Sequence, residues 1–480
     1  MNYSMIFYIL SSVLTFEGMF LLLPCVAAIV YGEKEGLVYL AVALVSILIG
    51  ILGRRRKTEN KVFYSKEGFV TVSLSWILIS LVGAVPFVLT GEIPNYLDAV
   101  FETVSGFTTT GASIMNDVEI LSKTSAFWRL FTHWIGGMGV LVLILAVLPI
   151  SGSYNMHLMR AESPGPSVGK LVPKVKNTAK MLYSLYITIT LVEIVALIVC
   201  GMPFFESLTL SFATAGTGGF ALLNSSIGSY NVASQVVITI FMLLFSVNFN
   251  VYYLVYTRKY KDALKNEEMK VFFAIVMVVT LAITANILFS GIYTNILQAF
   301  QQAAFQVASV ISTTGFATTD YNVWPEFSKT LLLFVMFVGA CAGSTGGGIK
   351  ISRVVILAKA VKNEILSIIH PRSVKRVTFE GKSLSEDMVK SVLAYLAAYV
   401  LIVIVSFILI SVDNFDMTTN FSAVMAAFNN IGPGFNVVGP AGNYGGFSAF
   451  SKIVLIFDML VGRLEIFPLL VLFSRNIYRR

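Results

Sequence analysis

Ser105-Gly106-Phe107-Thr108-Thr109-Thr110-Gly111-Ala112 is a short Gly- and Thr-rich stretch set in hydrophobic sequence, and the chain holds three more of its kind. They read Ala213-Thr214-Ala215-Gly216-Thr217-Gly218-Gly219-Phe220, Ile311-Ser312-Thr313-Thr314-Gly315-Phe316-Ala317 and Asn429-Asn430-Ile431-Gly432-Pro433-Gly434-Phe435. Their glycines 111, 219, 315 and 432 fall 108, 96 and 117 residues apart. Irregular backbone at membrane depth survives only where protein or a watery cavity satisfies its polar groups. Four such stretches can surround one axis and turn a ring of carbonyls toward a dehydrated cation, which points to an ion pore.

The rest of the composition agrees with a membrane setting. Of 480 residues, 56% are hydrophobic and 12% charged, with a mean hydropathy of +0.80. Soluble domains carry about 25% charged residues. Many continuous apolar runs reach the roughly 20 residues that span hydrocarbon, and none alternates as a barrel strand would. Cys25, Cys200 and Cys341 lack metal spacing and imply no disulfide framework. Glu17 and the absence of a basic leader make residues 5–31 a first membrane helix rather than a cleaved signal.

Basic residues set the orientation. Of the 34 Lys and Arg, 28 sit in segments 54–66, 157–180, 258–270, 350–390 and 475–480. The intervening loops hold only Lys34, Lys123, Arg129, Lys329 and Lys452, and Arg463 lies inside a span. The excess of positive charge places the five segments, and both termini, in the cytoplasm. The outer loops carry twelve acidic residues, among them Asp98, Glu102, Asp117, Glu119, Glu206, Asp320, Asp413 and Asp416. An acidic outer vestibule that concentrates cations is the expectation, with simple solvation of loops as the alternative.

Hydropathy and spacing divide the chain into an N-terminal helix pair (1–57) and four pore units (58–156, 157–264, 265–370 and 371–480). Each unit runs as an inward-to-outward helix, a half-helix of about ten residues, a Gly/Thr segment and a returning helix. The half-helices are too short to cross and must re-enter from outside. The returning helices are expected over 126–150, 233–257, 328–349 and 449–474, giving ten full spans. The fold class expected is an all-α polytopic membrane protein: two N-terminal helices plus four M1-P-M2 pore-loop repeats around a central pseudo-fourfold pore.

The chemistry centres on four triplets, Thr109-Thr110-Gly111, Thr217-Gly218-Gly219, Thr313-Thr314-Gly315 and Asn430-Ile431-Gly432. Turning successive carbonyls to an axis demands torsions that Gly adopts cheaply. Each half-helix would aim its partially negative C-terminal end at the bilayer centre, favouring a cation. Small-residue helix packing is the competing explanation of such Gly and Thr. Below the third triplet, Gly339-Ala340-Cys341-Ala342-Gly343-Ser344-Thr345-Gly346-Gly347-Gly348-Ile349-Lys350 carries too many glycines for a continuous helix. It reads as an intramembrane gate, with close helix packing as the alternative. It is not a phosphate loop, because Ile349 stands where the Lys is required. Arg463, deep in the last span, is costly there and needs a partner or cavity. It reads as a positive barrier below the triplets, or as a partner of the gate loop, Glu465, Asp458 or Glu193. His133 reads as a packing residue, and Gly136-Gly137-Met138-Gly139 as a close helix contact. No arrangement suggests catalysis.

Six motifs then resemble one family: Thr108-Thr109-Thr110-Gly111-Ala112, Trp134-Ile135-Gly136-Gly137-Met138-Gly139, Arg160-Ala161-Glu162-Ser163-Pro164-Gly165-Pro166, Gly343-Ser344-Thr345-Gly346-Gly347-Gly348-Ile349-Lys350, Asn430-Ile431-Gly432-Pro433-Gly434 and Gly462-Arg463-Leu464-Glu465. With the architecture, they resemble the TrkH/TrkG branch of the Trk/Ktr/HKT potassium transporter superfamily over nearly the whole chain. The resemblance implies one pore per subunit of a homodimer, with potassium held by the four triplets. It implies an intramembrane gating loop over 339–350, with Gly343, Ser344, Thr345, Gly346, Gly347, Gly348, Lys350 and the pore arginine Arg463 as gating residues, and a cytosolic TrkA-type ring that binds ATP, ADP or NAD. It implies no covalent cofactor and no nucleic-acid partner. Ala112, Gly218 and Pro433 depart from the bare Thr-x-Gly-Phe pattern, so the ring is asymmetric and discrimination is expected to be looser. Potassium uptake driven by membrane potential is the leading reading. Symport with sodium or protons, using Glu17, Glu193 or Glu465, is the second, and a membrane scaffold the third.

Overall fold

Helix is the one open-ended structure that satisfies every backbone group in hydrocarbon, so the apolar runs wind into helices. The computed structural model describes residues 1–55, 64–139, 175–371 and 376–475. Arg56 and Lys57, the returning span from 140 to 150, the Arg160–Pro166 motif, the unit boundaries at 57/58 and 156/157, and the tail past Arg475 lie outside the described residues.

Tyr3–Tyr31 and Gly36–Arg54 form the N-terminal pair, followed by the first helices of the four units, Ser65–Thr90, Ala179–Val199, Glu267–Phe289 and Glu386–Asp413. These six are long and apolar enough to cross a membrane. Their polarity is that of a membrane protein: large apolar side chains such as Leu48, Ile49, Val278, Leu281, Leu401 and Ile408 face outward. Small and polar residues, including Ser73, Thr103, Thr214 and Ser309, lie inside.

The half-helices are Tyr96–Phe107, Phe204–Gly216, Ile296–Ile311 and Met417–Phe428. Asn95, Asn295 and Asp416 start three of them by accepting first-turn N–H groups, and Pro203 starts the other.

The returning helices depart from expectation. Lys123–Gly137, Val232–Ser246, Glu326–Val338 and Ala449–Arg463 have 15, 15, 13 and 15 residues. At 1.5 Å per residue they reach only about 20 Å, short of the ~30 Å hydrocarbon. The second, expected as continuous over 233–257, breaks at Val247-Asn248 and bends by 91° into Phe249–Tyr256. The fourth, expected to run to 474, breaks at Leu464–Ile466, where Glu465 and Ile466 take positive φ before Phe467–Val471. Among the described residues, six helices pass as unbroken spans. The inner segment 350–390 is not all loop either: it contains the helix Ile351–Ile369 and a two-residue-per-strand hairpin pairing Thr378–Phe379 with Lys382–Ser383.

Glycines let the returning helices press against the half-helices. A methyl on Gly136 would lie 1.8 Å from the Phe107 carbonyl oxygen, and one on Gly462 would lie 1.9 Å from that of Phe428. Both oxygens belong to the last residue of their unit's half-helix. Gly462→Ala should therefore cost about 1–3 kcal/mol through forced backbone displacement. Gly446→Ala, whose methyl would meet only the Phe415 ring edge at 3.4 Å, should be neutral. Thermal unfolding of the two variants in detergent checks the contrast.

Candidate functional site

The four half-helices end in one and the same way. Thr109, Thr217, Thr313 and Asn430 adopt left-handed backbone, with φ of 56°, 54°, 59° and 54°. The next N–H, of Thr110, Gly218, Thr314 and Ile431, reaches back to the carbonyl five residues earlier at 2.8–2.9 Å. The left-handed residue itself bonds three back, completing a Schellman stop. Left-handed torsions are strained for β-branched Thr. Thr109 and Thr217 are held there in part by their own hydroxyls, which donate to the preceding carbonyls of Thr108 and Gly216 at 2.7 and 2.6 Å. The third residue, Gly111, Gly219, Gly315 or Gly432, is again positive in φ at 77–94°. Sequence reasoning identified the glycines but not the strained first positions, since Thr carries no local signal for such torsions.

The four triplets meet as a closed ring. A methyl on Gly111 would lie 2.0 Å from the Gly218 carbonyl oxygen; on Gly219, 2.0 Å from that of Thr314; on Gly315, 1.9 Å from that of Ile431. The fourth contact returns to the start, with Gly432 2.7 Å from the Thr110 oxygen by the same measure. Unit order around the axis is thus one, two, three, four. The triplet residues are buried, except Gly111 and Gly219, which are half-buried at the cavity. Among the described residues, the Gly432 carbonyl is the one triplet carbonyl that accepts a hydrogen bond from protein. The others are buried acceptors without a protein donor, an arrangement native proteins avoid unless something else binds there.

Outside the ring a cavity of about 130 Å³ is lined by all four anchor glycines. Among its described lining residues there is no Asp or Glu, and Arg129 is present. The acidic-vestibule expectation is thereby corrected. Glu102 is buried against Arg129 at 2.7 Å, and Asp98 pairs with Lys452 at 2.7 Å. Asp413 and Asp416 cap helix starts at Ser448 and Thr419. Asp117 remains at the surface, where the Asn224 amide and the Glu119 N–H hold its carboxyl below the usual carboxylate range.

His133 is a strut that sequence reasoning classed as packing alone. Its Nδ1 bonds the Gly106 carbonyl oxygen of unit one at 2.7 Å, and its Nε2 accepts the Phe220 N–H of unit two at 3.1 Å. This requires the proton on Nδ1. Asn430 makes the corresponding link between units four and one, donating to Thr110 Oγ1 at 3.0 Å and to the Met459 carbonyl at 2.9 Å.

Beneath the ring lies the Gly339–Lys350 loop, non-helical and with positive φ at Gly339, Gly343, Gly348 and Lys350. It touches the triplets: the Gly347 N–H donates to Thr313 Oγ1 at 2.6 Å, and Gly347 lies against the Asn429 carbonyl. Lys350 Nζ donates to the Gly346 carbonyl within the loop, and the Ser344 hydroxyl to that of Cys341. Glu268, buried at the inner end of Glu267–Phe289, accepts the N–H groups of Ala342 and Ser352 at 2.7 and 3.0 Å. The broken second returning helix docks on the loop as well. Cys341 N–H donates to the Ser246 carbonyl at 3.1 Å, Phe249 N–H to that of Gly343 at 3.1 Å, and the Thr345 hydroxyl to that of Phe245 at 3.1 Å.

Arg463 ties this assembly together. It donates to the Thr345 carbonyl and to that of Gly137, each at 2.8 Å, and to that of Gly136. The carboxylates considered for it are engaged or placed elsewhere. Glu465 pairs with Arg353, Asp458 accepts from the Ser406 hydroxyl at 2.7 Å, and Glu193 is buried next to Thr214. Among the described residues, none of Glu17, Glu193 and Glu465 bonds a triplet residue.

Residues 38–478 match the family model described as TrkH, cation transport protein. The chain is 37% identical to the Trk system potassium uptake protein TrkH of Salmonella typhimurium, over 97% of each chain. It is 33% identical to the Trk system potassium uptake protein TrkG of Escherichia coli, over 95% of this chain and 94% of that one. The crystal structure of the potassium transporter TrkH from Vibrio parahaemolyticus superposes with a TM-score of 0.89 at 32% identity, covering all of both chains.

Replacing His133 by Ala would orphan the Gly106 carbonyl and the Phe220 N–H. The expected loss is on the order of 1–3 kcal/mol for each group, read as a lowered unfolding midpoint of the purified protein.

Proposed function

We propose a potassium route through this chain, which belongs to the TrkH family of cation transport proteins. It is a multi-pass membrane protein that takes up potassium and is not an enzyme. In this reading the ion travels along the axis of the four triplets, where carbonyls of Thr109-Thr110-Gly111, Thr217-Gly218-Gly219, Thr313-Thr314-Gly315 and Asn430-Ile431-Gly432 replace its hydration shell. The observation that carries the reading is the closed circuit of glycine-to-carbonyl contacts around buried carbonyls without protein donors. Four half-helix C-termini converging on that ring favour a cation, and so make up for a cavity without acidic lining. Inward movement of one charge at 100 mV yields ~2.3 kcal/mol, sufficient for accumulation without ATP.

The Gly339–Lys350 loop is the gate, with Gly343, Ser344, Thr345, Gly346, Gly347, Gly348 and Lys350 as its moving part and Arg463 as its latch. Support comes from the loop's position against Thr313 and from the Arg463 bond to the Thr345 carbonyl. Arg463 acts on the ion's path by holding the loop across it and by its own charge. The cytosolic side receives a TrkA-type ring carrying ATP, ADP or NAD, and the chain pairs as a homodimer. Val361, Ile365 and Ile368 favour such contacts, since they form an exposed apolar stripe on Ile351–Ile369 beside basic residues. The alternation of basic segments places both termini in the cytoplasm. The pore units follow the divisions at 58–156, 157–264, 265–370 and 371–480.

A second reading, symport coupled to sodium or protons, has one observation in its favour: the carboxylates of Glu17 and Glu193 are buried with no ion-pair partner among the described residues. Planar-bilayer recording with potassium alone on both sides separates the two. Uncoupled flux gives sustained current with neither sodium nor a proton gradient, and a silent bilayer favours symport.

Gly315→Ser places a side chain where a methyl already meets the Ile431 oxygen, and should lower the potassium-to-sodium flux ratio at least tenfold in proteoliposomes. Arg463→Ala should raise basal potassium flux severalfold by releasing Thr345. Reduced flux at an unchanged unfolding midpoint would reject the latch.

A further inference from the structure

The ring is not fourfold in its chemistry. Three of its contacts close to 1.9–2.0 Å by the methyl measure, whereas unit four stands off from unit one at 2.7 Å. In the same unit, the Tyr444 hydroxyl donates to the Gly432 carbonyl at 2.7 Å. Tyr444 is itself fixed. Its side chain is buried, its ring packs on Phe101 and Phe447 with centroids 5.7 and 6.0 Å away, and its N–H bonds the Ser113 carbonyl of unit one at 2.8 Å. Its hydroxyl therefore has little freedom to leave. The carbonyls of Gly111, Gly219 and Gly315 have no protein donor among the described residues.

We propose that Tyr444 sets the affinity of the outermost ion position by withholding part of the Gly432 carbonyl from the ion. A carbonyl oxygen has two lone pairs, and one of these is committed to the phenol. The outer position is then a site of three full ligands and one weakened ligand. Conduction requires an ion to bind well enough to enter and weakly enough to move on. The phenol supplies the weakness on one side of the ring without altering the triplet sequence. This deepens the reading above and rests on it.

The test is potassium uptake by full-length protein in proteoliposomes, as a function of external potassium. Tyr444→Phe keeps the ring packing and frees the carbonyl. The half-saturating potassium concentration should fall roughly two- to tenfold, the span of one net hydrogen bond. Site-specific 3-fluorotyrosine at 444, a stronger donor of the same shape, should raise it. Tyr321→Phe is the control, because Tyr321 donates at 2.9 Å to Gly434, two residues beyond the triplet, and its loss should leave half-saturation unchanged. If Tyr444 only props the loop, Tyr444→Phe will lower the maximal rate with half-saturation unmoved, and the proposal falls. Opposite shifts for the phenylalanine and fluorotyrosine proteins sustain it, and an unshifted fluorotyrosine protein overturns it even where the phenylalanine protein fails to fold. Absence of saturable potassium uptake by the wild type would instead refute the pore reading itself.

Discussion

A buried carbonyl without a donor is the constraint on which the rest of the molecule depends. Each half-helix is stopped by a left-handed residue and a Schellman bond pair, so its backbone N–H groups are spent looking backward. The carbonyls that follow have nowhere to turn except the axis. Three of the four stops place a Thr in a torsion that costs of order 1–3 kcal/mol. Such strain persists only when surrounding structure over-determines it. Here His133, Asn430, the Thr hydroxyls and the neighbouring triplet supply that determination.

The inner half of the protein answers a related need. The four returning helices end after 13 to 15 residues, leaving C-terminal carbonyls that need donors. Arg463 takes up those of Gly136 and Gly137, while the Gly339–Lys350 loop takes up those of Phe245 and Ser246. The loop thus occupies its place because helix ends require donors there. The loop N–H of Ala342 and that of Ser352, in the helix that follows, converge on Glu268, a carboxylate contributed from the far end of another helix. The loop is held by several replaceable bonds as well as by packing of Cys341 and Ile349, and Arg463 is the donor shared between loop and scaffold.

Charge is handled differently on the two faces. On the outer side, Glu102 and Asp98 are consumed by Arg129 and Lys452, and Asp413 and Asp416 by helix starts, while Asp117 stays at the surface. Closest to the triplets, what attracts a cation is the set of backbone dipoles. These sit within a few ångströms of the axis and are less exposed to salt screening than distant loop charges.

The residues alone determined much of this. Hydropathy, basic-residue alternation and four spaced Gly/Thr segments gave the helical membrane class, and they singled out Gly111, Gly219, Gly315, Gly432, the glycine-rich loop and Arg463, because these signals depend on composition and local torsional freedom. Tertiary structure decided what depends on partners distant in sequence. Four of the outer acids became ion pairs and caps, Glu465 went to Arg353, the second and fourth returning helices broke, and His133 and Tyr444 took up the Gly106 carbonyl, the Phe220 N–H and the Gly432 carbonyl, 27, 87 and 12 residues away. A hydrogen bond is satisfied by proximity in space, and no local pattern of residue types encodes which carbonyl a folded chain will bring within reach of which donor.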